Sequence, residues 1–377
     1  MKLRFYLLTL SFLFVALQAA DAQGCVAIRS FSGNGSVSGA SAFLGKGEFL
    51  VGSNIRYFKS YKHFRGTHEE VERVENGTEV INKSSFLDFS VNYGITNRLY
   101  ATATLPFAFH SRTSLYEHGG NTFGYRGETS SSGLGDVRVG LGYWLFDPSK
   151  VESFNYAIGL GVKLNTGKYD VKDTFYNQGP DKNEERLLVV DQSIQLGDGG
   201  ISPSLDIQGY HIISDHFSLS TTLYYLFGIE ESNGVLTRNQ PEGGTEFAVP
   251  DQYLARLGLS YTTPINGLSI YGGGRIEGVP AEDLIGGSNA YRRPGYSIAV
   301  EPGLSYNLNN LSINFSVPIA VERNRTQSYL DKVRTEETGE YQHGDAAFAD
   351  YLINFGVTYR LNHKSHSMMS DVPEAGN

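Results

Sequence analysis

Apolar and polar residues alternate along twelve segments of this 377-residue chain, from about residue 48 to residue 361. In residues 137–145 the odd-numbered positions are Val, Val, Leu, Tyr and Leu, whereas the even-numbered positions are Arg138, Gly140, Gly142 and Trp144. A period of two indicates a β-strand with one apolar face. That face requires an apolar environment, which is either a second layer of the protein or lipid.

The connections between these segments distinguish the two environments. Short and long connections alternate along the chain. The short ones are residues 95–98, 147–153, 214–216, 264–267 and 307–310, and the long ones are about 65–83, 111–132, 167–200, 229–249, 278–294 and 324–345. Long loops without structure disfavour a compact soluble domain. Short periplasmic turns and longer extracellular loops are typical of transmembrane barrels.

The sequence therefore predicts an all-β fold, namely a single transmembrane antiparallel up-and-down β-barrel of about twelve strands. The apolar face of each strand then contacts outer-membrane lipid, and the other face lines a lumen. Tyrosines near the segment ends, such as Tyr93, Tyr143 and Tyr296, fit the aromatic girdles of such barrels. A secreted β-sandwich or propeller remains the alternative, although it does not explain the alternating loop lengths.

The N-terminus indicates export from the cytoplasm. Lys2 and Arg4 precede an apolar stretch, and small residues follow it, which is the pattern of a cleaved signal peptide. We expect a signal peptide at 1–22, a Gly/Ser-rich segment at 23–47, an outer-membrane barrel at 48–361 and a periplasmic tail at 362–377. An uncleaved anchor and a lipidated Cys25 are the alternatives. The predicted location is the outer membrane of a Gram-negative bacterium.

Composition excludes some classes of function. The net charge of −9 disfavours a nucleic-acid partner, which needs a basic face. No spacing of the nine histidines suggests a catalytic triad or a metal site, and His63, His68, His118 and His343 fall in predicted loops. We therefore predict a protein that is not an enzyme and has no cofactor, and we keep an outer-membrane hydrolase as a less favoured alternative.

The predicted inward face carries charges of both signs. The lumen-lining candidates are Glu48, Arg56, Asp88, Arg138, Lys163, Asp206, Arg256, Arg275, Glu277, Glu301, Asp350 and Arg360. Opposed charges across a narrow pore can orient a polar solute. They can equally pair with one another and fill the barrel, and the sequence leaves both interpretations open.

The last predicted strand ends in a polar residue, a glycine, an aromatic residue and an apolar residue, which are Asn354, Gly356, Tyr359 and Leu361. This pattern resembles the closing-strand signal that the barrel assembly machinery recognises. The sequence thus predicts that machinery as a partner, although residues 362–377 follow the strand, whereas many barrels end there.

Three glycine-rich motifs carry a family resemblance. They are Gly133-Leu134-Gly135-Asp136, residues 160–167 (LGVKLNTG) and Gln195-Leu196-Gly197-Asp198-Gly199. The chain from about Glu48 to Leu361 resembles the outer-membrane channels named for the MetA pathway of phenol degradation, which lie near the channels for long-chain fatty acids and aromatic hydrocarbons. Residues 23–47 are too short for the substantial helical hatch of the fatty-acid channels.

The resemblance implies a channel that takes up small solutes, including hydrophobic or aromatic compounds, by passive diffusion through the barrel. A structural or adhesive barrel that does not conduct is the alternative. The sequence does not specify the solute or the oligomeric state.

Overall fold

A computed structural model describes residues 43–119, 124–148, 150–151, 153–237 and 245–362. The predicted signal peptide, Cys25 and nearly all of the predicted tail lie outside these residues. The described chain forms a closed antiparallel barrel with twelve strand positions, which confirms the predicted fold class. The barrel strands are β1 (Phe49–Arg65), β2 (Ile81–Gly94), β3 (Leu99–Ser114), β4 (Gly127–Leu134, continued by Arg138–Trp144), β5 (Phe154–Lys163), β6 (Ser202–Ile212), β7 (Phe217–Leu226), β8 (Gln252–Thr262), β9 (Leu268–Val279), β10 (Gly295–Leu308), β11 (Leu311–Ser316, continued by Ile319–Asn324) and β12 (Ala346–Leu361).

Each strand pairs with its sequence neighbours, and β12 closes the barrel on β1. The closing register runs from Phe49 opposite Leu361 to Phe64 opposite Ala346, with two irregularities between Phe58 and Lys62. Closure pairs the backbone amides and carbonyls of every strand, which a structure surrounded by hydrocarbon requires. No helix in the described residues is long and apolar enough to cross a membrane.

Short and long loops alternate along the chain, as predicted. The long connections all lie at one end of the barrel, which by the convention for such barrels is extracellular. They contain a two-residue strand (His68–Glu69), helix α1 (Val71–Glu75), helix α2 (Tyr329–Thr338), a 3-10 turn (Gln192–Ile194), a hairpin of Lys172–Gln178 with Glu184–Val189, and a hairpin of Ser232–Leu236 with Glu246–Ala248.

The two faces of the strands differ as predicted. On the outer face, Leu141 is 51% exposed and Leu160 is 67% exposed, although both are apolar. On the inner face, Arg138 and Trp144 of the same strand as Leu141 are buried. An exposed apolar band around the outside of a barrel is the lipid-facing surface expected for this fold.

Several strands are longer than the sequence pattern indicates. β1 has 17 residues, and both β3 and β12 have 16. The first part of β4 lies in residues that we predicted to be a loop, because its exposed positions are Glu128, Ser130 and Ser132 and the apolar alternation is missing. Strands that continue beyond the hydrocarbon face water on the outside, so they need no apolar residues there. β1 continues in this way as far as Arg65, so His63, which we predicted in a loop, lies in the strand. Its side chain is buried.

Two breaks in the barrel strands lie beside prolines. Between the two parts of β4, the Gly135 amide donates to the carbonyl of Pro106 on β3 at 2.7 Å. Between the two parts of β11, Pro318 itself has no amide hydrogen, and its carbonyl accepts from Leu352 at 3.0 Å. A proline removes a ladder hydrogen bond and so favours a break. The break in β4 leaves Asp136 free to turn toward the lumen.

Candidate functional site

Part of the long loop between β5 and β6 lies inside the barrel. We call residues 190–200 the inner loop segment. Its Leu196 packs against the inward side chains Phe58, Phe86, Ala108 and Leu352, which come from β1, β2, β3 and β12. The hydroxyl of Ser131 on β4 donates to the carbonyl of Ile194, a residue with no exposed surface. These contacts place the segment across the lumen, which it narrows.

An ion cluster fixes the lower end of this segment. The ammonium of Lys163, at the end of β5, donates to Asp198 at 2.5 Å, to the carbonyl of Gly200 at 2.6 Å and to Asp136 at 3.3 Å. Asp136 also accepts from the amides of Gly167 at 2.9 Å and Asp198 at 3.2 Å. We call Lys163, Asp136 and Asp198 the lysine cluster. Two of the three glycine-rich motifs supply its carboxylates and the third supplies the lysine.

A second set of ion pairs fixes the upper end. Asp191 accepts two hydrogen bonds from Arg293, at 2.8 and 2.7 Å, and lies 3.6 Å from Arg112 on β3. We call these three residues the arginine latch. Burial alone would raise the pKa of the Asp191 carboxyl, but Arg112 and Arg293 outweigh it and hold this pKa well below its usual value. The carboxylate therefore stays ionised at neutral pH, which keeps it attractive to both arginines.

A third network lies in the barrel wall. Arg256 on β8 holds Glu301 on β10 through two hydrogen bonds, at 2.9 and 3.1 Å. Arg275 on β9 donates to Glu277 at 2.6 Å and lies 4.0 Å from Glu301. Ser316 on β11 donates to Glu301 at 2.7 Å. We call this set the wall network. It is continuous around the inner face from β8 to β12, because Asn354 donates to Ser316 at 3.2 Å.

Close packing supports the wall network. Arg256 lies over the ring of Tyr271, with 4.7 Å between the guanidinium carbon and the ring centroid. Tyr271 in turn covers Gly258, where an added Cβ atom would lie 2.1 Å from the ring. Glycine is therefore required at this position, because any side chain would displace the tyrosine that supports Arg256.

The structure brings most of the lumen-lining candidates into pairs. In addition to the wall network and the lysine cluster, Arg56 pairs with Asp88 at 2.9 Å, and Arg360 pairs with Glu48 at 3.2 Å. Asp350 lies at the irregular part of β12, where it pairs with Arg323 at 2.6 Å and Lys62 at 3.2 Å. These pairs join residues on different elements, except Arg275 and Glu277 of the wall network, which are two residues apart on β9.

Two candidates differ from the rest. Arg138 is 5% exposed, and within the described residues its Nε and Nη1 atoms have no hydrogen-bond partner. Asp206 is 3% exposed, and its Oδ2 atom likewise has no partner in the described part of the chain. Tyr224 lies beside Arg138, with 5.8 Å between the guanidinium carbon and the ring centroid.

The four residues of the predicted assembly signal lie on the closing strand. Asn354 faces the lumen and binds Ser316, and Gly356 lies opposite Asn54 of β1. Tyr359 is 44% exposed and Leu361 is 41% exposed, both on the outer face near the short-turn end. Their recognition by the assembly machinery stays a prediction.

Two cavities lie along the lumen. The inner chamber, of about 150 Å³, is next to the inner loop segment and is lined by Arg138, Lys163, Asp136, Asp198, Arg293 and Gln252, among others. The outer chamber, of about 290 Å³, lies under the extracellular loops and is lined by Arg73, Arg112, Arg292, Arg293, Arg325 and Asp345, among others. Arg293 of the arginine latch contributes to both chambers.

The outer chamber depends on residues that the sequence did not single out. His63 on β1 binds Asp345 through Nδ1 and accepts from the amide of Val80 at 2.8 Å through Nε2. Burial would raise the pKa of Asp345, but the hydrogen bond from His63 and the charges of Arg73 and Arg293 lower this pKa to about 2. The adjacent pair Arg292 and Arg293 in an otherwise weakly charged loop is a signal that could have identified this region.

The chain that precedes β1 reaches the other end of the lumen. Phe43 packs against Trp144, Ala157 and Tyr210, which are inward residues near the short turns. Leu44 is 3% exposed. Among the described residues, no group of three or more His, Cys, Asp or Glu side chains is placed to hold a metal ion.

Comparison with known proteins tests the family resemblance. A family model described as the MetA-pathway of phenol degradation matches residues 66–183. The predicted resemblance is confirmed. The matched stretch covers about a third of the chain and includes two of the three glycine-rich motifs, whereas we expected the resemblance to extend over most of the barrel. No curated protein sequence matches this chain.

Three solved structures resemble this chain to different degrees. An outer membrane channel from Pseudomonas putida F1 is 13% identical, with a TM-score of 0.53 over 84% of this chain and 97% of that chain. A Pseudomonas aeruginosa FadL homologue is 8% identical, with a TM-score of 0.45 over 90% and 99% of the two chains. The toluene transporter TodX from Pseudomonas putida is 11% identical, with a TM-score of 0.41 over 91% and 96%. The first of these shows a shared barrel fold.

Proposed function

We propose that this protein is an outer-membrane channel for the uptake of small solutes, including hydrophobic or aromatic compounds, by passive diffusion. The observation that supports this most directly is a closed barrel whose polar inner face encloses two chambers instead of a fully packed core. The family resemblance and the barrel shared with a bacterial outer membrane channel agree with it.

The pathway that we propose enters between the extracellular loops, passes the outer chamber and the arginine latch, and reaches the inner chamber. The lumen-lining candidates would form the wall of this pathway below the loops. The inner loop segment narrows it, because Leu196 contacts inward side chains from four strands. Passage of a solute therefore requires this segment to move, and the latch and the lysine cluster would set how readily it does.

The membrane-facing partners follow from the same arrangement. The exposed apolar band would contact outer-membrane lipid. The closing strand β12, with Asn354, Gly356, Tyr359 and Leu361, would be the element that the barrel assembly machinery recognises. This proposal predicts that Tyr359→Ala lowers the amount of heat-resistant barrel in outer membranes without lowering synthesis of the chain.

Single-channel recording tests the channel proposal. The full chain, purified folded from outer membranes, is inserted into planar bilayers, and the conductance is recorded before and after addition of small aromatic solutes. We expect discrete conductance steps that a solute can block. A folded, inserted barrel that shows no conductance and no solute flux in liposomes would contradict the proposal and favour a structural or adhesive barrel. Ester or peptide hydrolysis by the folded protein would instead indicate an enzyme.

A further inference from the structure

Arg138 is a buried cation that the ion pairs of the lumen do not satisfy. It is the first residue of the second part of β4, and its side chain lines the inner chamber. It is 5% exposed, and its Nε and Nη1 atoms have no hydrogen-bond partner among the described residues. Leaving buried donors unpaired costs free energy, more so when the group is charged. An anion in the chamber would recover that free energy.

The other charged side chains that line the chamber are already in ion pairs. Lys163 is held by Asp136 and Asp198, and Arg293 is held by Asp191. The chamber lining includes three cationic side chains, Arg138, Lys163 and Arg293, and two carboxylates, Asp136 and Asp198. Asp191 neutralises Arg293, so these six charges sum to zero, but among them Arg138 is the cation that no described carboxylate binds. A monoanion therefore suits it better than a neutral solute or a cation.

The rest of the lining is suited to an apolar ring. Phe86, Leu196, Phe247 and Val279 line the chamber together with Arg138. Its volume of about 150 Å³ is close to that of the engineered protein cavity that binds benzene, which is also about 150 Å³. Neutral hydrogen-bonding groups complete the lining: Ser84, His110, Gln192, Gln195 and Gln252. The chamber thus combines one cationic end with space for one aromatic ring.

We propose that the inner chamber is a binding site for small single-ring aromatic carboxylates, with the carboxylate on Arg138 and the ring against Phe86 and Leu196. This inference rests on the proposed channel function, because the solute must reach the chamber from outside, and it specifies the solute class. A planar guanidinium forms two parallel hydrogen bonds to a carboxylate, which an uncharged hydrocarbon cannot accept. The site therefore favours acids over neutral aromatic compounds.

Calorimetric titration of the folded protein in detergent tests the inference independently of conduction. The probes are benzoate, benzamide (which has the same ring but no charge) and acetate (which has the charge but no ring). We expect benzoate to bind about ten-fold or more tightly than benzamide, because hydrogen bonds to a charged group contribute about 1.5–3 kcal/mol. We expect a similar preference over acetate, because acetate has no ring to bury against the apolar lining. Low-chloride buffer prevents competition by inorganic anions. Equal binding of benzoate and benzamide would overturn the carboxylate assignment, and equal binding of benzoate and acetate would overturn the ring site.

Variants assign the effect to one side chain. Arg138→Gln should weaken benzoate binding to the level of benzamide, and Arg138→Lys, which keeps the charge but loses the planar pair of donors, should give an intermediate affinity. Arg186→Gln makes the same charge change in an extracellular hairpin outside both chambers and should leave benzoate binding unchanged. Heat-modifiable mobility on gels checks that each variant is folded. Unchanged benzoate binding in folded Arg138→Gln would overturn the proposal.

The two proposals fail in different ways. If benzoate binds through Arg138 but no conductance or flux is found, the binding site stands and passive diffusion is contradicted. If the barrel conducts but does not prefer benzoate, the channel stands and the solute class is contradicted.

Discussion

The wall network and the arginine latch are both made of buried arginine–carboxylate pairs, but they join different kinds of elements. The wall network joins β8, β9, β10 and β11, which are also held by the backbone ladder. The latch joins the inner loop segment to β3 and to the loop before β10, and no barrel-strand ladder holds this segment. The same chemistry therefore joins strands of the barrel wall in one place and holds a loop segment inside the barrel in the other.

This contrast has an energetic consequence. When a wall pair is broken, the barrel keeps the remaining charge buried, because the strands cannot separate without losing their ladder. When a latch pair is broken, the loop can move and both partners can reach water. The loss of free energy is therefore no larger than the free energy of opening the loop locally. Wall substitutions should therefore change the free energy of unfolding, and latch substitutions should change conductance.

The largest expected effect is that of Glu301→Gln. Glu301 is the carboxylate that Arg256 binds twice and that Arg275 approaches, and its side chain is 2% exposed. Removing its charge leaves the buried Arg256 guanidinium without a carboxylate, although Arg275 keeps Glu277, and should cost about 3–5 kcal/mol of unfolding free energy. Urea unfolding in lipid vesicles measures this. Ser316→Ala removes one hydrogen bond to the same carboxylate and should cost about 1.5–3 kcal/mol; equal losses in the two variants would contradict the charge argument.

Glu277→Gln should have a smaller effect in the same network. Glu277 binds Arg275 at 2.6 Å, but Arg275 keeps Glu301 at 4.0 Å after the change. The guanidinium therefore keeps a carboxylate nearby, and we expect a loss of about 1.5–3 kcal/mol of unfolding free energy, the range of a hydrogen bond to a charged group. The same urea unfolding experiment measures it. If Glu277→Gln lowered the unfolding free energy as much as Glu301→Gln, the number of carboxylates left beside the arginines would not determine the loss of stability.

The difference between wall and latch also explains what the sequence could predict. Strand period, loop alternation and inward charges such as Arg256 and Glu301 are local features, so the barrel and its polar inner face follow from the order of residues. The position of the inner loop segment does not follow from the order of residues. Leu196 is buried by Phe58 and Leu352, which are far away in sequence and contact it only after the barrel closes. Arg112 and Arg293 were missed for the same reason, since a charged residue in a predicted loop has no periodicity that indicates its direction.

Asp191→Asn should change conductance more than stability. It removes the carboxylate that fixes the upper end of the inner loop segment, while Arg112 keeps Glu117 as a partner at 3.2 Å. We expect a larger or more often open single-channel conductance, with an unfolding free energy within about 1 kcal/mol of the unmodified protein. Asp283→Asn is the matched control, because Asp283 binds Arg292 twice within the same loop and does not contact the inner loop segment. Similar conductance changes in both variants would contradict a specific role for the latch.

The smallest expected effect is that of mild acid on the closed state. The pKa of Asp191 is held well below its usual value, so the stabilisation it gives the latch is fully present above the pKa of a free carboxyl and is lost only as the pH falls through the depressed pKa. Asp345, with a pKa of about 2, behaves in the same way in the outer chamber. Conductance should therefore stay constant from about pH 7 to about pH 5 and rise only in stronger acid. Asp191→Asn, which has no carboxyl to titrate at this position, should lose that acid response. A change in conductance between pH 7 and pH 5 would show that a histidine or another group with a higher pKa holds the inner loop segment. The arginine latch would then not control the constriction, although it is built from the same kind of ion pair as the wall network.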